Sequence, residues 1–173
     1  NNYIPILRLP INVVNELKGL KELGICYLGA DFSKDFEGFF QALQKKSQTL
    51  EILEVNFANY KIQKRDLEIL MKTLPQLKSL ETFKIRNFVV NDPGFFKYFA
   101  ETIHRCSNLT SLALTDIKID LPEYHPQEML DMLKSIFHKK NLTHIALQDG
   151  GDLFTDFYSC EKLRLDEIYE ECP

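Results

Sequence analysis

Four histidines, four cysteines and a run of three aspartates are the residues with the reach for metal, nucleophilic or acid–base chemistry. His104, His125, His138 and His144 have no metal-ligand spacing. Cys26, Cys106, Cys160 and Cys172 show neither C-x-x-C pairing nor the density of a disulfide scaffold, so they are expected to be reduced. Asp149, Asp152 and Asp156 in "DGGDLFTD" could offer oxygens to calcium, but their spacing does not match the D-x-[DN]-x-[DN]-G loop, and a solvated turn is the better reading. H-E-x-x-H, G-x-G-x-x-G, the P-loop and G-x-S-x-G are all missing. No catalytic, cofactor-binding or metal-binding set is expected.

The composition narrows the function classes further. The chain has 173 residues, 45% of them hydrophobic, enough to bury a substantial core in one domain. The net charge is −4 and the pI near 5.6, with Lys and Arg scattered along the sequence, which argues against nucleic acid as a partner. Apolar runs fall far short of the roughly 20 residues needed to span a bilayer, and "NNYIPILRLP" does not have the pattern of an export signal. Two N-x-T sequons, at Asn108 and Asn141, could accept glycans, yet each stands just before a leucine where a polar residue is expected anyway. A cytoplasmic location follows as the expectation.

What must position any working residue is a repeat. The skeleton L-x-x-L-x-L-x-x-apolar is carried by Leu20, Leu23, Ile25, Leu28; by Leu50, Leu53, Val55, Ala58; and by Leu80, Phe83, Ile85, Phe88. It returns as Leu109, Leu112, Leu114, Ile117 and as Leu142, Ile145, Leu147 before Gly150. Five clear units thus start near residues 20, 50, 80, 109 and 142, with fainter copies near 4 and 160 that suggest shortened caps or missing residues. Between the skeletons lie helical stripes: Phe36, Phe39, Phe40, Leu43; Leu67, Leu70, Met71, Leu74; Phe95, Phe96, Phe99, Ile103; and Met129, Leu130, Leu133, Ile136, Phe137. "NDPG" and "LPEYHP" supply turn chemistry.

This pattern resembles the leucine-rich repeat superfamily, in its long variants of around 30 residues, over residues 20–150 and more weakly at both ends. The resemblance implies an α/β fold: a single solenoid or horseshoe domain over residues 1–173, with a parallel sheet on the concave side and helices on the convex side. The irregular, phenylalanine-rich units are most similar to those of F-box/leucine-rich-repeat ubiquitin-ligase receptors and of NOD-like innate immune receptors. One departure stands out. The family commonly places Asn or Cys at the ninth repeat position, where this chain has Leu28, Ala58, Phe88, Ile117 and Gly150.

If the leucines at positions four and six point inward, strand alternation exposes positions three, five and seven, with position eight at the margin. Position five then presents Arg8, Gly24, Glu54, Lys84, Ala113, Ala146 and Arg164; position seven presents Pro10, Cys26, Asn56, Arg86, Thr115, Gln148 and Asp166. Glu54 beside Lys84 is a candidate cross-strand pair. Cys26 and His144 share the exposed face, but four strand steps of about 4.8 Å separate them by about 19 Å, too far for a nucleophile and its base. Position eight runs from Ile11, Tyr27 and Phe57 through Asn87 to Asp116, Asp149 and Glu167, from aromatic to acidic.

The expectation is therefore a non-catalytic protein-recognition module. Its partner-binding residues would be Tyr27, Phe57, Arg86, Asn87, Asp116, Gln148 and Asp149, gripping a protein segment with an apolar end and a basic end. The bland alternative is that Tyr27 and Phe57 tuck under the adjacent loop while the acids solvate a turn. Specialisation as the substrate receptor of a ubiquitin ligase, as the ligand-sensing part of an immune receptor or a pathogen effector, or as a structural spacer stays open, as do partner identity and oligomeric state.

Overall fold

Leu23, Leu53, Phe83, Leu112 and Ile145 lie side by side on five neighbouring strands, the strands' fourth repeat positions brought into one row. The computed structural model describes residues 11–26, 33–58, 61–123, 125–148 and 163–164. The strands are β1 (Glu22–Cys26), β2 (Ile52–Asn56), β3 (Thr82–Val90), β4 (Ser111–Ile119) and β5 (His144–Gln148), parallel and in sequence order. A sixth, β6 (Leu163–Arg164), pairs antiparallel to β5. Register steps of 30, 30, 29 and 33 residues along that row, from residue 23 to 53, 83, 112 and 145, match the spacing of the sequence skeletons. The fold is an α/β, repeat-like parallel sheet.

Each of the five parallel strands follows a helix, in the order α1 (Ile11–Glu16), α2 (Ser33–Gln44), α3 (Lys64–Thr73, prolonged by a 3-10 turn, Leu74–Gln76), α4 (Phe95–Arg105) and α5 (Pro126–Phe137). Successive helices pack on one another, as successive strands do. The predicted stripes face the core: Phe36, Phe39, Phe40 and Leu43 from α2; Leu67, Leu70 and Met71 from α3, with Leu74 beyond it; Phe95, Phe96, Phe99 and Ile103 from α4. In α5 the buried stripe is Met129, Met132, Leu133 and Ile136, with Met132 in the place expected for Leu130, which is half-buried. Pro126 opens this helix, where its missing N–H costs nothing.

The units are stitched together by one carbonyl each. The oxygen of Lys21 accepts the N–H groups of Glu51 and Ile52, that of Glu51 those of Glu81 and Thr82, that of Glu81 those of Thr110 and Ser111, and that of Thr110 those of Thr143 and His144. A carbonyl has two lone pairs, so each is fully used. The sequon residues belong to a second ladder: Asn108 Nδ2 donates to Lys78 O, and Asn141 Nδ2 to Ser107 O. Their polar character thus has a structural use at the place where a repeat begins.

Position eight is not one geometric column. In β3 and β4 it holds Asn87 (φ 49°) and Asp116 (φ 54°), left-handed residues that strand pairing skips, since Arg86 faces Thr115 and Phe88 faces Ile117. Asn and Asp tolerate that conformation better than other non-glycine residues. Each is one extra residue, and it returns Phe88 and Ile117 to the inner face. The second unit has no such insertion after Asn56, so plain alternation turns Phe57 inward. It is fully buried, with its ring 4.9 Å from that of Phe88, and it therefore cannot be the exposed anchor expected of it. Ala58 (φ 49°) then takes the left-handed turn, its N–H donating to Asn56 Oδ1. The same oxygen accepts Asn87 Nδ2, which links the second unit to the third.

An aromatic seam, Phe57–Phe88–Phe95–Phe99, crosses from strand ends to α4 with ring centroids 4.9, 5.0 and 5.3 Å apart. Phe88→Ala is expected to cost about 3–5 kcal/mol, because the cavity opens in the middle of this seam. Ala58→Gly should instead add about 0.5–1 kcal/mol by relieving the left-handed strain, less the glycine's entropy. Urea denaturation of both variants checks the pair; a Phe88→Ala loss below 1 kcal/mol would contradict the buried position.

Candidate functional site

With positions four and six buried, the outer face of the sheet carries three rows five residues wide. The first is Glu22, Ile52, Thr82, Ser111 and His144; the second Gly24, Glu54, Lys84, Ala113 and Ala146; the third Cys26, Asn56, Arg86, Thr115 and Gln148. Most are half-buried, as side chains on an uncovered sheet face are, while Glu22 and His144 at its two ends are exposed. The β4–β5 half is made of small or neutral residues and the β3 strip of two cations.

At the centre stands Glu54. It faces Lys84 directly in the register, but its carboxylate meets the diagonal cation: Arg86 Nε lies 3.0 Å from Oε1, close enough for an ion pair yet out of line for a hydrogen bond. Diagonal neighbours are within reach of a side chain as long as arginine. Glu54 is only 7% exposed, so a charge here needs a cation beside it, and the Arg86 side chain as a whole is 42% exposed although its Nε is buried. At the rim, Asn87 and Asp116 occupy the matching left-handed positions of β3 and β4. Arg86, Asn87 and Asp116 are thus brought together midway along two adjacent strands. Phe57 leaves the set for the core. Tyr27 and Asp149 lie outside the described residues, as does the whole of "DGGDLFTD"; Gln148 is placed by its backbone opposite Thr115.

The two described thiols, Cys26 and Cys106, are not primed for attack. Partial burial pushes the Cys26 thiol up. Cys26 and His144 stand in different rows as well as on the outermost of the five parallel strands, so they are farther apart than strand spacing alone implies. Cys106 is buried, its Sγ donates to Thr102 O, and burial raises its thiol to about 11, only partly offset by the cations Lys139, Arg105 and Lys78. Burial likewise lowers the Lys139 ammonium.

Sequence reasoning missed one contact of chemical interest. His104 Nε2 stands 3.0 Å from Ser135 Oγ, across the groove between α4 and α5. Thirty-one residues part them, about one repeat, and that period was the signal that could have found the pair. Both residues sit within helices, whose N–H groups are spent on carbonyls one turn back, so no row of donors faces the hydroxyl as an oxyanion site requires. The contact ties two helices together. Among the described residues no group of three or more His, Cys, Asp or Glu could hold a metal ion, and no helix is long and apolar enough to cross a membrane.

No protein-family model matches the chain, and no curated protein matches it in sequence.

The buried thiol makes the stability of the fold depend on pH. The folded state keeps Cys106 protonated up to about 11, whereas its ordinary value is 9.0. Below pH 9 the contribution is fully present; between 9 and about 11 the unfolded chain releases the proton first, and stability falls by about 2 kcal/mol. Denaturation at pH 8 and pH 11 should show that fall in the native chain and a smaller one, by about 2 kcal/mol, in Cys106→Ala. Equal falls would mean that the thiol ionises in the folded state as it does in the unfolded chain.

Proposed function

We propose that this chain is a non-catalytic protein-recognition module built as a leucine-rich-repeat solenoid, and that it receives a protein partner on the outer face of its sheet. One observation carries the reading: five strands in register bury every fourth- and sixth-position side chain but Leu147, which is half-buried, and turn unrelated side chains, from Gly24 to Arg86, toward the open face. Packing fixes one face and leaves the composition of the other free, which is the condition for a recognition surface on a constant scaffold.

The contact centre of this reading is Lys84 and Arg86 on β3, Thr115 on β4, and the rim residues Asn87 and Asp116. Small residues beside the cations, Ala113 and Ala146, leave room for a partner's main chain to approach. An extended rim from an apolar to an acidic end, which would have used Phe57, is replaced by a mixed polar patch around Glu54. Polar contacts of that kind set orientation and specificity more than raw affinity. Ubiquitin-ligase and immune-receptor specialisations both fit this face, since they differ in flanking domains.

Partners captured by the native chain should be lost with Lys84→Glu/Thr115→Arg, which reverses charge and adds bulk on the open face. They should be retained with Lys97→Glu/Lys134→Glu on the helices. Quantitative pull-down with both variants, each first checked for native circular dichroism, decides the matter. Equal retention by the two variants would remove the sheet face as the binding surface.

A further inference from the structure

Packed side by side, α4 and α5 leave a groove of about 590 Å³ on the helical side of the molecule, away from the open face of the sheet. Buried Phe96, Ala100 and Met132 form its floor, where the short side chain of Ala100 beside two long ones keeps the groove open. The contact of His104 with Ser135 crosses it near the carboxyl ends of the two helices. From Phe96 to His104 the groove runs along α4 for about 12 Å, a little over two turns.

Its rims are acidic. Glu101 stands on α4, Glu128 and Asp131 on α5, and all three are exposed. The offset of 31 residues that pairs His104 with Ser135 also sets Ala100 opposite Asp131 and Glu101 opposite Met132. Carboxylates from both helices therefore flank one apolar strip. Lys97 is the one lysine or arginine in the lining.

Local structure accounts for little of this charge. Glu128 lies in the first turn of α5, where the helix dipole favours it, and Asp131 accepts a hydrogen bond from the neutral Gln127 amide. Glu101 has neither use. Among the described residues, none of the three has a lysine or arginine in ion-pair contact. Three such carboxylates around an apolar floor favour a cation brought from outside.

The walls also say what form the cation takes. Both are helices whose backbone groups are spent internally, so they offer no ladder to an extended segment, whereas a helix satisfies its own backbone. Lysine and arginine lay their stems on apolar surface and keep their charged ends in water. The same carboxylates repel the phosphates of nucleic acid and of an anionic lipid surface. We propose that the groove receives a basic amphipathic helix of a partner protein, two turns or longer. Its apolar side chains, one turn apart, lie on Phe96, Ala100 and Met132, and its arginines or lysines reach Glu101 on one side and Glu128 and Asp131 on the other. This site is separate from the sheet face, and occupation of one leaves the other open.

Fluorescence anisotropy of a labelled synthetic helix tests this on the whole chain. The probe is a peptide of about 15 residues with leucines at i, i+4 and i+7 and arginines on both flanks of that stripe. Saturable binding is expected, weakened about tenfold by Glu101→Lys/Glu128→Lys/Asp131→Lys and tightened several-fold by Lys97→Glu. The second variant, a single exposed change of opposite sign, keeps the test decisive should the first not fold. Glu16→Lys/Glu81→Lys/Glu123→Lys, the same change of net charge outside the groove, should leave binding within about twofold, and a probe with serines for its leucines should bind several-fold more weakly. Absence of saturable binding, equal weakening by the two triple variants, no gain with Lys97→Glu, or equal affinity for the leucine and serine probes would overturn the proposal. So would self-association of the native chain in sedimentation that the groove variant abolishes, since it would assign the groove to a second copy of this chain.

Discussion

One backbone oxygen per unit, at Lys21, Glu51, Glu81 and Thr110, receives two N–H groups from the unit that follows. Everything else in the molecule assumes the phase these bonds set. Each contributes only about 1 kcal/mol net, whereas each buried leucine or phenylalanine contributes about 1.5–3. Burial therefore supplies most of the stability and the ladder supplies the register. The distinction matters because a strand that slips by one residue exchanges its faces. A slip of β3 against β2 would bring Lys84 and Arg86 into the core and put Phe83 and Ile85 into water. The cost of burying two charges exceeds any gain, so the ladder and the core reinforce a single arrangement.

The leucine period disclosed the strands, their parallel order and the 29- to 33-residue steps, because packing admits one kind of residue at positions one, four and six. The phenylalanine stripes disclosed α2 and α4 for the same reason. What could not be read was anything that hinges on one inserted residue. Counting along the skeleton puts Phe57, Asn87 and Asp116 in one column, but only the latter two adopt the left-handed conformation that removes a residue from the pairing. Phe57, with no insertion before it, goes inward to Phe88. The partner of Glu54 was likewise hidden: register names Lys84, and side-chain length brings in Arg86 from the diagonal. Among the expected site residues, Arg86, Asn87 and Asp116 come together, and the reason is backbone geometry rather than residue type.

Charge shows the same limit from the other side. A net charge of −4 with scattered cations describes the chain as a string, where Lys78, Arg105 and Lys140 are about one repeat apart and have nothing to do with each other. Folding sets one repeat beside the next, and residues a period apart become neighbours. The separation that makes them look scattered is the one that lines them up. His104 and Ser135 meet by the same rule, as do Asn108 with the backbone of Lys78 and Asn141 with that of Ser107. In such a chain, composition along the sequence says little about local fields. Composition by repeat position, taken modulo about 30 residues, says where they lie: the helix-to-strand turns are cationic in three successive units, while the sheet face opposes Glu54 to Lys84 and Arg86.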